Sequence, residues 1–404
     1  MMRQTSTFSG RRRALLRGVG GAAALLGAGS AALLAGCAAR MDRGAATPAP
    51  AAPASGVPLH TPALRLIGEA RLPYRMSFQG TALGGLSGID YDPVRDLYYV
   101  ISDDGSNARF YTARMALGRE RLGTPQLLEA TLLKQADGRP YPGRAGGAED
   151  PDPESIRWNR TSGTLLWASE GDSRLGTPPA LREMRADGRL LRDFPLPPMF
   201  TPGPARGPRP NLGFEGMTLT PDGATAWLAL EGPMQQDGPT PAAGAAGGAC
   251  RFTQIDLRSG RALRQIAYVP DAIPHAPRPP GATADNGVSE VLMADPHQML
   301  VLERAYMSGV GNSLRLYSID TRQGSDTLAL AALTPGGYQA VRKELLVDFA
   351  QLGLARLDNT EGMCWGPALP ATPSRPAARS LVFVSDDNFN PRQITQFVAL
   401  EFNR

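Results

Sequence analysis

From residue 63 onward the chain is a succession of short apolar-polar alternations separated by turn residues, and the same order recurs five times. The copies begin at Leu86-Ser87-Gly88-Ile89, Pro153-Glu154-Ser155-Ile156, Phe214-Glu215-Gly216-Met217, Ser289-Glu290-Val291-Leu292 and Thr360-Glu361-Gly362-Met363, roughly 60 to 75 residues apart. Each opens a first strand, passes a turn such as Asp92-Pro93, Pro221-Asp222-Gly223 or Asp295-Pro296, and enters a more apolar second strand. The second strands are Tyr98 to Ile101, Leu165 to Ala168, Ala226 to Ala229, Leu300 to Leu302 and Leu381 to Val384. Third strands are predicted at 110–113, 181–184, 252–255, 314–319 and 396–400, and fourth strands at 126–133, 190–196, 262–269 and 344–349. The last copy ends before a fourth strand, whereas 64–70, ahead of the first copy, has the right alternation to supply it.

Four-stranded units closed in this way describe an all-β fold, a β-propeller of five blades, or six if a long insertion hides one. An open sandwich of many strands is the competing architecture. Composition fits: Gly 46 and Pro 37 among 404 residues mark a turn-rich chain rather than a helical one.

The net charge of +4 invites a nucleic-acid or anionic-membrane partner. Its location withdraws the invitation. Residues 1–36 carry Arg3, Arg11, Arg12, Arg13 and Arg17 with no acid, then an uncharged Gly/Ala/Leu run ending in Leu34-Ala35-Gly36-Cys37. This has the form of a Tat-like export signal with a lipobox, so Cys37 is the expected lipidation site. Without those five arginines, 37 basic side chains face 38 acidic ones. Residues 37–62, rich in Ala and Pro, read as a tether. The folded domain is then 63–404, a monomer on the periplasmic side, held to the outer membrane by its N-terminal lipid alone and with no nucleic-acid partner. Ala38 after the lipidated cysteine favours the outer membrane.

A hairpin brings the start of its first strand and the end of its second to one edge. Glu154, Glu215, Glu290 and Glu361 on the first strands are therefore expected to ring the central channel at one face. A wider ring comes from Asp103, Asp104, Glu170, Asp172, Glu231, Glu303, Asp386 and Asp387 at or just beyond the second strands. Such crowding needs compensation: a hard cation such as calcium, pairing with Arg174, Arg304 or Arg392, or backbone amides that make the acids structural ties between blades.

The segments Gly85 to Asp90, Asn211 to Met217, Val301 to Arg304, Asn359 to Met363 and Ser385 to Asn390 resemble the bacterial phytase-like family, also called the esterase-like activity of phytase family. The resemblance spans roughly 63 to 403. It implies a propeller related to calcium-dependent phytases, with phosphoesterase or esterase activity. The sequence departs from it in having only Lys134 and Lys343 as lysines, so phosphate contacts fall to arginine. On the catalytic reading, Arg304 or Arg174 clamps a phosphorylated or ester substrate beside Asp172 and the bound metal. The alternative is a non-catalytic envelope binding or scaffolding propeller.

Other chemistries find little support. Gly171-Asp172-Ser173 resembles a lipase nucleophile block, yet the only histidines are His60, His275 and His297, and no Gly-x-Ser-x-Gly elbow is present. Cys250 and Cys364 fall in different blades and are expected as buried free thiols, and Gly238 to Gly248 as a mobile loop on the acidic face.

Overall fold

The computed structural model describes residues 64–143 and 151–403. The export signal, Cys37, the tether and His60 lie outside the described residues.

Strand β1 (Leu64–Leu72) comes first, then a short hairpin of β2 (Ser77–Phe78) and β3 (Thr81–Ala82). Blade 1 is β4 (Leu86–Asp92), β5 (Leu97–Ser102), β6 (Arg109–Arg114) and β7 (Gln126–Leu132). Blade 2 is β8 (Pro153–Asn159), β9 (Thr164–Ser169), β10 (Ala180–Met184) and β11 (Leu190–Phe194). Blade 3 is β12 (Phe214–Leu219), β13 (Thr225–Leu230), β14 (Cys250–Asp256) and β15 (Ala262–Tyr268). Blade 4 is β16 (Ala284–Met293), β17 (Gln298–Met307), β18 (Gly311–Asp320) and β19 (Lys343–Asp348). Blade 5 joins β20 (Thr360–Trp365), β21 (Arg379–Ser385) and β22 (Thr395–Phe402) to β1. Among the described residues, helix is confined to three 3₁₀ turns at Pro198–Phe200, Gln235–Asp237 and Phe349–Gln351.

The innermost strands β4, β8, β12, β16 and β20 touch in that order, and β20 returns to β4, so the five blades close into a ring. The fold is a five-bladed β-propeller. Its closure is the antiparallel pair β1–β22, which runs from Leu64 opposite Phe402 to Leu72 opposite Thr395. Glu401 beside that seam takes Arg65 Nη2 at 2.6 Å and also pairs with Arg119 and Arg375.

Burial falls from hub to rim. The second strands are buried along almost their whole length, because each blade stacks on a neighbour on both faces; Trp167, Tyr99 and Trp158, for instance, pack together between blades 1 and 2. The outer strand β7 has a single buried residue. Hence the second strands read as apolar runs and the outer ones as weak alternations. Cys250 in β14 and Cys364 in β20 are buried and unbonded, and burial pushes both thiols above their usual range.

Candidate metal centre

Every first strand carries a β-bulge, near its start in four blades and mid-strand in β16. The pairing skips one residue between Leu86 and Gly88, Pro153 and Ser155, Phe214 and Gly216, Val288 and Glu290, and Thr360 and Gly362. A bulge leaves its extra residue outside the ladder and re-aims it. The five bulged residues are Ser87, Glu154, Glu215, Ser289 and Glu361. On the second strand the equivalent positions hold Asp103, Glu170, Glu231, Arg304 and Asp386, each one residue past the partner of the residue before the bulge; in blade 4, where the ladder runs on, Arg304 pairs with Gly287.

These two sets converge at one mouth of the channel, and all but the serines are charged and buried. Carboxylate oxygens of Asp152, Glu154 and Glu170 lie within 4.8 Å of one another, and so do those of Glu170, Glu215 and Glu231. Glu170 belongs to both triads. Its Oε1 accepts from Gly213 N at 2.9 Å, which ties blade 2 to blade 3. A Cβ on Gly213 would stand 2.6 Å from Glu170 Cγ, so the acid's seat requires glycine there. The expectation that these acids hold blades together therefore describes this bond of Glu170.

Among the described residues, Arg304 is a cation that reaches the mouth acids. Its Nη2 lies 2.9 Å from Glu231 Oε1 and 3.6 Å from Glu361 Oε1, and its Nη1 lies 3.7 Å from Asp285 Oδ1. Burial opposes its charge, but Glu231, Glu361, Asp285 and Glu215 together hold its pKa above the ordinary value. Glu361 Oε1 also accepts from Asn359 Nδ2 at 2.8 Å, while its buried Oε2 has no hydrogen-bond partner.

Several expected members sit elsewhere. Glu290 takes the ladder position of Gly88 and Gly216, with Ser289 in the bulge; it lies inside the channel, 2.7 Å from Arg157 Nη2, and accepts from Met217 N and Val291 N. Burial raises its carboxyl to about 7 in spite of Arg157. Glu303 pairs with Val288, one residue short of the mouth position, so strand alternation turns it to the other face. There Tyr268, Lys343, the Asp271 amide and Asn286 satisfy both of its oxygens. Asp387 is likewise used up by Gly85 N, Phe389 N and Thr395 Oγ1.

Asp104 pairs with Arg109 at 2.7 Å, and Asp386 Oδ1 caps Asn388 N. Asp172 Oδ1 caps the turn at Arg174 N and Leu175 N. Of the three candidate arginines, Arg304 alone pairs with the mouth acids; at 1% exposure it serves as their counter-ion, not as a clamp open to substrate. Arg174 is exposed on the turn that follows Glu170, and Arg392 is exposed on another turn. Neither described histidine, His275 or His297, hydrogen-bonds a serine through its side chain, and both are exposed. The Gly238 to Gly248 loop closes on itself through an Ala242–Ala245 bridge.

The sequence model of the phytase-like family, described as esterase-like activity of phytase, matches residues 81–389. The chain belongs to this family. No curated protein matches it. Among solved structures it is similar to an endo-arabinase from Bacteroides thetaiotaomicron VPI-5482, at 10% identity and a TM-score of 0.41, over 80% of this chain and 95% of that one. It is also similar to an exo-β-1,3-galactanase from Phanerochaete chrysosporium, at 12% identity and 0.42, over 83% and 64%. A luciferin-regenerating enzyme gives 10% and 0.37, over 83% and 95%.

In this phytase-like propeller both lysines are committed. Lys134 donates to the Asp187 carbonyl, and Lys343 pairs with Glu303 and Asp271 at 2.5 and 2.7 Å. One mouth residue escaped sequence reasoning: Asp152. It precedes β8 where Gly85 and Gly213 precede β4 and β12, and its carbonyl takes the Glu170 amide as Gly213's takes that of Glu231. An acid at a position that blades 1 and 3 give to glycine and blade 5 to Asn359 was the available signal.

Proposed function

We propose that this phytase-like propeller is an exported, lipid-anchored hydrolase of phosphoric or carboxylic esters that works with calcium at its acidic mouth. The observation that carries the reading is the pair of carboxylate triads sharing Glu170. The donor set fits the ion: hard carboxylate oxygens are what calcium takes, and Glu361 adds a buried oxygen without a hydrogen bond. Asp152, Glu154, Glu170, Glu215 and Glu231 would hold it. Bound there, calcium supplies positive charge for an anionic substrate and lowers the pKa of water.

The chain's own residues divide the remaining work. Gly213 N–H fixes Glu170 in rotation. Arg304 offsets charge at Glu231 and Glu361, while the two carboxylate triads gather acids of blades 2 and 3 around Glu170. Arg174, exposed just after Glu170, is the arginine set to meet an anion arriving at that side. The arginine-rich leader, apolar run and Cys37 support placement in the cell envelope, facing the periplasm from the outer membrane.

Hydrolysis of p-nitrophenyl phosphate, phytate and p-nitrophenyl acetate in calcium and in chelator tests the reading. Calcium-dependent turnover of at least one is expected, and Glu170→Gln should lower it at least about tenfold, because even groups one step removed from a metal cost that much. No turnover on any of the three overturns the enzyme. Calcium stabilisation without turnover would instead favour a binding propeller.

A further inference from the structure

The channel is stoppered below the acidic mouth. Arg157, paired with Glu290, donates Nη1 to the carbonyls of Ile89 and Ile156 at 2.7 and 2.9 Å. Beyond this plug, where the first strands end, a cavity of about 760 Å³ opens at the other face. That volume suits a small organic ligand. Arg157 and Asp90 line its floor, and Trp365, Arg379 and Arg160 line its walls.

The charges of this cavity are paired unevenly. Its two rim acids are occupied by their own turns: Asp222 Oδ1 accepts from Thr220 Oγ1 and Ala224 N, and Asp295 Oδ1 from His297 N and Gln298 N. Arg157 at the floor is held by Glu290, but the two arginines of the walls meet no carboxylate at ion-pair distance among the described residues. Arg160 is exposed and, among the described residues, forms no ion pair or hydrogen bond. Arg379 lies flat on Trp365, its guanidinium carbon 3.2 Å from the ring centroid, and donates Nη1 to the Ala294 carbonyl at 2.7 Å. No carboxylate comes within ion-pair distance of it among the described residues. Burial consequently pushes its pKa down to about 10, with only Asp295 pulling the other way. A guanidinium desolvated without a counter-ion is stabilised by any anion that reaches it. At the floor, Asp90 accepts from Trp158 N through Oδ2 at 2.7 Å, and burial raises its carboxyl against the pull of Arg157.

We propose that this cavity is a binding site for a small hydroxylated anion, a polyol or sugar acid carrying one phosphate or carboxylate. Arg379 holds the anionic group over Trp365, Arg160 at the rim draws it in, and Asp90 meets a hydroxyl at the floor. The two mouths of one channel then take opposite charges, a cation at the carboxylates and an anion at the arginines. The plug between them keeps the sites separate, so this site stands independently of the metal reading.

Isothermal titration of the full chain in detergent micelles, with inorganic phosphate and with gluconate as probes, tests it. Saturable one-site binding of at least one probe is expected, weakened about tenfold or more by Arg379→Gln and severalfold by Arg160→Gln. Chelator and Glu170→Gln should leave it unchanged, and which probe binds identifies the head group. Failure of both probes to saturate overturns the site. So does binding that vanishes with chelator or Glu170→Gln yet ignores the arginine changes. Should Arg379→Gln fail to fold, Arg160→Gln decides: unaltered affinity there overturns the proposal.

Discussion

Arg251 and Arg304 are both buried arginines on the strands of adjoining blades, and their surroundings differ in kind. Arg251 meets Asp237 in a two-pronged pair, Nε to Oδ2 at 2.7 Å and Nη2 to Oδ1 at 2.8 Å. Its Nη1 is taken by Gln265 Oε1 and the Leu330 carbonyl, and Asp237 also accepts from Leu333 N. One cation, one anion and a full set of hydrogen bonds fasten two long excursions onto blade 3. Arg304 is instead shared among Glu231, Glu361 and Asp285, and its Nε and Nη1 make no hydrogen bond. The first arrangement is complete and specifies structure. The second spreads one cation over three carboxylates at a mouth where other acids crowd together, an arrangement in which a metal ion can take part.

The largest effect should fall on the complete pair. Arg251→Met strands Asp237 in the interior and is expected to cost about 3–5 kcal/mol in urea unfolding, the range for removing one partner of a buried pair. Millimolar calcium should restore none of it. Arg304→Met is expected to cost less in chelator, about 2–3 kcal/mol, since its pairing is diffuse, and calcium should return most of that loss by taking the cation's place. Recovery of both variants by calcium, or of neither, would erase the distinction between the two regions.

How these regions were legible differs as well. The blades and the β1–β22 closure could be read because turn residues and alternation recur in every copy, and a chain ending one strand short needs its start to complete the ring. The acids at Glu154, Glu170, Glu215, Glu231 and Glu361 could be read because strand ends share an edge. Glu290 and Glu303 could not, for one shared reason: the bulge inserts a residue that motif spacing does not show. Aligning Ser289-Glu290 with Pro153-Glu154 moves blade 4 by one residue, and one residue reverses the face. The bulge position is set by packing between inner strands, where a Cβ on Gly216 would stand 2.9 Å from Val291 N of the next blade. The arginine cavity was invisible for another reason, since it assembles side chains from blades far apart in sequence, and the Asp237–Arg251 pair joins an irregular insertion to the strand after it with no periodicity to reveal it.

The smallest effect concerns Arg157–Glu290, which stands between the two cases. Glu290 has a single arginine and two amides on Oε1, yet its carboxyl is pushed up to about 7 because burial outweighs them, with Asp90 and Cys364 as the other titrating neighbours of Arg157. Below about pH 4.5 Glu290 is protonated folded and unfolded. Between there and about 7 the unfolded chain releases the proton while the folded chain keeps it, so stability falls as pH rises through that window and then levels. Urea unfolding in chelator at pH 5 and pH 7.5 should show Glu290→Gln losing about 1–2 kcal/mol less than the unmutated chain between the two. Asp90, whose pKa is raised in the same sense, contributes to the slope that remains in the variant. Equal slopes would mean that Glu290 is ionised throughout, and that Arg157 pairs with it as completely as Arg251 pairs with Asp237.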